Sequence, residues 1–100
     1  AGSDMNPTLC DAIHKRRLLK FFYDPAERLV EPHAYGVGEG EHELLRAYQI
    51  SGGSASREVG WKLFRVAEMA AIEMTDVEFE APRGGYMRNE PSMATIYCEL

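Results

Sequence analysis

The sequence predicts one mainly β (α+β) domain: an N-terminal helix packed on a small antiparallel barrel or rolled sheet. Three observations carry this. A helical signature occurs only near the N-terminus. Four or five apolar runs of strand length follow, joined by turn-rich loops with no helical crossover between them. The length of 100 residues fits one domain, near the size at which a single core becomes self-supporting.

Asn6-Pro7 is a helix entry, an N-cap side chain followed by proline at the first helical position. Leu9, Ala12 and Ile13 share a face, and Arg16 and Arg17 close the last turn, so a helix is expected over 7–17. A helix this short is unstable alone and must dock its apolar face. LLKFFY (18–23) then has the density and composition of a strand, and Asp24-Pro25-Ala26-Glu27 suits a type I turn.

RLVEPHAYG (28–36) is the returning strand, with Pro32 marking a bend or a loss of pairing on one side. The glycine-rich acidic loop GVGEGEHE precedes LLRAYQI (44–50), and SGGSAS (51–56) reads as a turn. VGWKLFRV (59–66) is apolar on both faces, as a strand covered on both sides would be. AAIEMTDVEFE (70–80) alternates from Ile72 onward, although its start suits a helical turn equally well. The tail 81–100 is expected to wrap the outside before a last ordered segment, 93–100.

Composition narrows the function classes. Apolar residues make up 45% and charged residues 27%, the balance of a soluble globular chain, and no run has the length of a membrane helix. AGSD ahead of Met5 reads as a cloning remnant, and residues 1–8 as a leading segment before the domain at 9–80. The net charge of −5 argues against a protein devoted to non-specific nucleic-acid binding. His14, Lys15, Arg16, Arg17 and Lys20 form one local basic cluster, which also suits a solvated helix end. A cytoplasmic bacterial protein is expected, with Cys10 and Cys98 reduced. Cys10 and His14 share a helix face, but no further pair offers metal-ligand spacing, so no metal is expected.

Several motifs in order resemble the WYL domain family. They are Leu9, Ala12, Ile13, Arg16 and Arg17; Tyr23; Arg28, Val30, Pro32 and Gly36; Leu45, Ala47 and Tyr48; and Phe64, Arg65 and Val66, covering roughly 9–80. The resemblance implies a short helix and a five-stranded antiparallel SH3-like (Sm-like) barrel. It also implies a regulatory module, found in bacterial transcription regulators behind a helix-turn-helix, that senses a nucleotide-like or single-stranded ligand through arginine and aromatic side chains. The three residues that name the family align on Glu43, Leu44 and Leu45, and Ala67-Glu68 stand where it has aspartate and arginine. With nothing ahead of Met5, no helix-turn-helix is expected and the module reads as stand-alone.

The candidate ligand-binding residues are Arg65, Arg28, Tyr23, His33 and Tyr48. A guanidinium grips a phosphate or carboxylate with two parallel hydrogen bonds, against the alternative of a surface pair with a neighbouring glutamate. Tyr23, Tyr35 and Tyr48 offer stacking faces or, alternatively, are core or rim aromatics. His33 is expected half-exposed, as a phosphate donor or without a role. Trp61 belongs either to the core or to a protein interface. GVGEG is no phosphate loop, since a strand follows it and Glu39, Glu41 and Glu43 repel anions. No spacing suggests a nucleophile with an acid–base partner, so neither an enzyme nor a cofactor is expected.

The expectation is therefore a stand-alone WYL-like regulatory binding module for a small anionic or nucleotide-like ligand. The alternatives are a protein-interaction domain (a homodimer or a partner of a transcription regulator) and a weak single-stranded nucleic-acid binder.

Overall fold

The computed structural model describes residues 6–23, 26–52, 60–86 and 91–100. Residues 1–5, Asp24 and Pro25 of the turn expected over 24–27, and residues 53–56 of the one expected over 51–56 lie outside them. The helix α1 spans Pro7–Lys15, and Asn6 caps it as its side chain accepts from the Thr8 N–H at 2.9 Å. It stops two residues short of expectation because Arg16 turns left-handed, at φ 55°, and sends its N–H back to Ala12 and Ile13. The chain leaves the helix there, and Arg17 opens the first strand.

Among the described residues six strands follow: β1 (Arg17–Tyr23), β2 (Ala26–Val37), β3 (Glu43–Gly52), β4 (Gly60–Arg65), β5 (Ala70–Glu78) and β6 (Thr95–Glu99). All pairings are antiparallel, in the order β4-β3-β2-β1-β5, with β6 also paired to β2. The five-stranded closed barrel is thus corrected to an open six-stranded sheet. A physical reason lies in β5. Ala70, Ala71, Glu73, Asp76, Val77 and Glu78 are all exposed, and only Ile72 and Met74 pack on the core. A strand so solvated offers no apolar seam on which β4 might close. A 3-10 turn, Val66–Glu68, links the two outer strands.

The strand β2 organises the molecule. Its first half pairs with β1 through Val30 and its second half with β6 from Ala34, while β3 runs along its other side. Pro32 sits at the handover, where the β2–β3 register also shifts, so the missing N–H interrupts no regular ladder. Gly36 admits β6, because a Cβ there would run into the Thr95 carbonyl and the Ile96 Cα.

The core gathers Leu9, Ile13, Leu19, Phe21, Val30, Leu45 and Phe64, with Phe64 edge-on to Phe21 and Tyr23, each 5.0 Å between ring centres. The β2–β6 pairing also sets Cys98 beneath α1, where it forms a disulfide with Cys10. The expected reduced thiols are thereby corrected: residues 88 apart in sequence are brought within bonding reach by the last strand. The basic cluster faces acids, with Arg17 3.9 Å from Asp76 and 3.8 Å from Glu78, and Arg16 donating to the Glu80 carbonyl at 2.7 Å. Among the described residues no helix is long and apolar enough to cross a membrane.

Candidate functional site

The sequence candidates separate into two groups. Tyr23, Arg28 and Arg65 form the first. The Arg28 guanidinium lies over the Tyr23 ring at 5.4 Å and donates to the Gln49 amide oxygen at 3.4 Å. The Tyr23 hydroxyl accepts from the Arg65 backbone N–H at 3.3 Å. The Arg65 side chain is 59% exposed and stands 4.0 Å from Glu68, in a recess of about 440 Å³. Glu41, His42, Glu43, Val66 and Ala67 complete that recess. Three carboxylates around one guanidinium make a poor setting for an anion.

The second group is built around His33. This histidine is fully buried, which corrects the half-exposed strand position expected of it. The cause is the handover in β2: the bulge after Pro32 turns the ring under a cover of aromatics. Trp61 stands edge-on to the imidazole at 4.7 Å, Phe79 stacks at 5.6 Å and Tyr86 tilts against it at 5.0 Å. Tyr48 adds an edge to Trp61 at 5.5 Å. Both ring nitrogens are engaged. Nε2 accepts the Arg83 N–H at 3.0 Å, so the proton resides on Nδ1, 2.8 Å from the Glu31 carbonyl. Burial lowers the His33 pKa, the Glu31 carbonyl and carboxylate partly oppose this, and Arg83 adds to it.

Over this group runs a strap, residues 81–86, whose Ala81 to Gly85 are all exposed. Arg83 reaches down with its fork. Its Nε donates to Glu31 at 2.7 Å and its Nη2 to the other carboxylate oxygen at 3.2 Å. The Arg83 guanidinium also covers the Tyr48 ring at 4.5 Å. Its pKa is raised, chiefly by the hydrogen bond to Glu31. Trp61 donates its indole N–H to the Gly84 carbonyl at 3.2 Å. The Tyr86 hydroxyl donates to the His33 carbonyl at 3.3 Å, the same oxygen that accepts from the Leu100 N–H at 2.9 Å.

Tyr35, the remaining aromatic candidate, is buried and offers no stacking face. Its hydroxyl donates to Glu43 at 2.7 Å and accepts from the Asn6 N–H at 2.8 Å, and burial raises its pKa. Sequence reasoning missed Glu31, Phe79, Arg83 and Tyr86. The available signal is PRGGY itself, an arginine, two glycines and a tyrosine together at the start of the 81–100 tail.

Compared with known proteins, the chain matches no family model, no curated protein and no solved structure.

Proposed function

We propose that this domain is a WYL-like regulatory binding module that recognises a polypeptide, and that it carries out no reaction of its own. The observation that carries this reading is the half-buried aromatic group of Tyr48, Trp61 and Tyr86 beneath the Arg83–Gly85 strap, with Trp61 and Tyr86 packed on His33 and Tyr48 on Trp61. Aromatic residues held rigid at a surface supply large contact area at low entropic cost, as interface anchors do. The group borders β4, which among the described residues pairs only with β3, and there Leu63 is 37% exposed.

The small-anion reading draws less support. Glu41, Glu43 and Glu68 surround Arg65, and Arg28 is engaged by Tyr23 and Gln49. Catalysis draws none from His33, whose two nitrogens are both committed. The strand order β4-β3-β2-β1-β5, with a 3-10 turn joining the outer pair, supports an SH3-like arrangement left open. The Cys10–Cys98 disulfide fits an extracellular setting better than a cytoplasmic one.

A random peptide library selected on the immobilised domain tests the reading, with Trp61→Ala run in parallel. Sequences enriched on the wild type and lost on Trp61→Ala are expected; no enrichment, or equal enrichment on both, sinks it. Native mass spectrometry gives the competing outcome. A retained anion that Arg65→Ala releases would restore the small-ligand function.

A further inference from the structure

We infer that the recess formed by Glu31, Tyr48, Trp61 and His33 is a recognition site for an arginine–glycine segment of another polypeptide, held in cis here by Arg83-Gly84-Gly85. The inference rests on the polypeptide-binding reading above and names its partner chemistry.

Each part of the bound segment is read by a separate group. Glu31 takes the guanidinium fork; its side chain is only 9% exposed, so it meets a cation with little competition from water. Tyr48 supplies the π-face above that cation. His33 Nε2 accepts the arginine's own backbone N–H, and the Trp61 indole donates to the next carbonyl. The second glycine is favoured on two grounds. Gly85 has φ +90°, and a Cβ there would come within 3.3 Å of the Trp61 indole nitrogen. An arginine, a backbone N–H, a backbone carbonyl and a side-chain-free residue are thus specified in order. Lysine fits less well, because an ammonium has no planar fork to match both carboxylate oxygens.

Among the described residues, Arg83 to Gly85 are held by these polar contacts, and the neighbouring Tyr86 by packing on His33 and Trp61. The five residues Ala81 to Gly85 are exposed, and the Arg83 side chain itself keeps 45% of its surface in water. A second segment with the same groups takes over the contacts of Arg83, Gly84 and Gly85 while Phe79 and Tyr86 stay packed on His33. The cis segment competes at the millimolar effective concentration of a short tether, so it sets a threshold that a partner must exceed.

The probe is acetyl-Pro-Arg-Gly-Gly-amide, titrated against Trp61 emission at constant ionic strength. Arg83→Ala should bind it about ten-fold more tightly than the wild type, because the in-cis guanidinium no longer competes for Glu31 and Tyr48. The lysine peptide should bind Arg83→Ala about ten-fold more weakly than the arginine peptide. Adding Glu31→Gln to Arg83→Ala should abolish the difference between the two peptides. Equal affinity of Arg83→Ala for both peptides, or no saturable signal, overturns the inference.

Should Arg83→Ala not fold, the wild type decides by hydrogen exchange. The Arg83 amide must exchange faster with the arginine peptide and not with the lysine peptide; an unchanged rate with both overturns the inference. Library peptides that depend on Trp61 but lack arginine would also overturn it while leaving the polypeptide reading standing. A library that enriches nothing removes both.

Discussion

Arg65 and Arg83 are the same side chain in opposite circumstances. Arg65 stands 4.0 Å from Glu68, one turn away, and both side chains are more than half exposed, at 59% and 58%. Arg83 meets Glu31 with two hydrogen bonds, and that carboxylate is 9% exposed. Water and salt screen the first pair from both sides and the second only from the arginine's side, which is 45% exposed. The difference comes from the carboxylate's surroundings, since Glu31 lies in a strand whose next residues, Pro32 and His33, are buried. A guanidinium becomes a specific contact where the fold has already desolvated its acceptor.

The disulfide offers the largest test of that contrast. It fastens β6, whose neighbouring Leu100 N–H holds the His33 carbonyl beneath the strap, and neither cysteine is among the residues that line the Arg65 recess. Cys10→Ser together with Cys98→Ser should cost about 4 kcal/mol in urea unfolding, because a long loop in the unfolded chain is released. Hydrogen exchange should then rise first at Leu100 and Arg83 and stay level around Arg65. Uniform loosening of both regions would break the comparison.

Next in size is Arg83→Ala. It uncovers the Glu31 carboxylate, removes the cation from Tyr48 and frees the strap from one of its anchors. The melting temperature should fall by several degrees, and Trp61 emission should shift to the red as water reaches the indole. An unchanged spectrum would show that the backbone bonds from Gly84 and Arg83 hold the strap unaided.

How much of this the sequence discloses depends on range. The helix, its Asn6 cap and five of the strands follow from local patterning, and the last segment was expected to be ordered. Pro32 was legible as an interruption of pairing. Its consequence was not, because the exchange of β1 for β6 beside β2 joins residues far apart in the chain. Closure of the barrel failed for a similar reason: alternation in β5 shows a strand but not how little of it is covered. The two site groups show the same limit. Arg28, Tyr23 and Arg65 do lie together, and so do His33, Tyr48 and Trp61. What joins the second group is Arg83, fifty-two positions from Glu31.

The His33 region should also carry a pH signature. Its pKa in the folded protein lies below the 6.5 of a free imidazole, mainly through burial. Between the folded value and 6.5 the unfolded chain binds a proton that the folded protein refuses. Stability is therefore full above about pH 7 and declines as pH falls through 6.5 toward the folded value. Melting curves between pH 7.5 and 5.5 should show this slope, and His33→Gln should flatten it. An identical slope in that variant would assign the effect to other groups.

Arg65→Ala should have the smallest effect. The tie from this residue to Tyr23 uses the backbone N–H, which the substitution keeps, and the ion pair it loses is solvent-screened. Removing the guanidinium also leaves Glu41, Glu43 and Glu68 in the recess with less neutralising charge, a small opposing cost. The net change should lie within about 0.5 kcal/mol and shrink further when salt is raised. A loss comparable to that of Arg83→Ala would mean that exposure is a poor guide to the strength of these pairs. The weight placed on the strap over the recess would then have to be reversed.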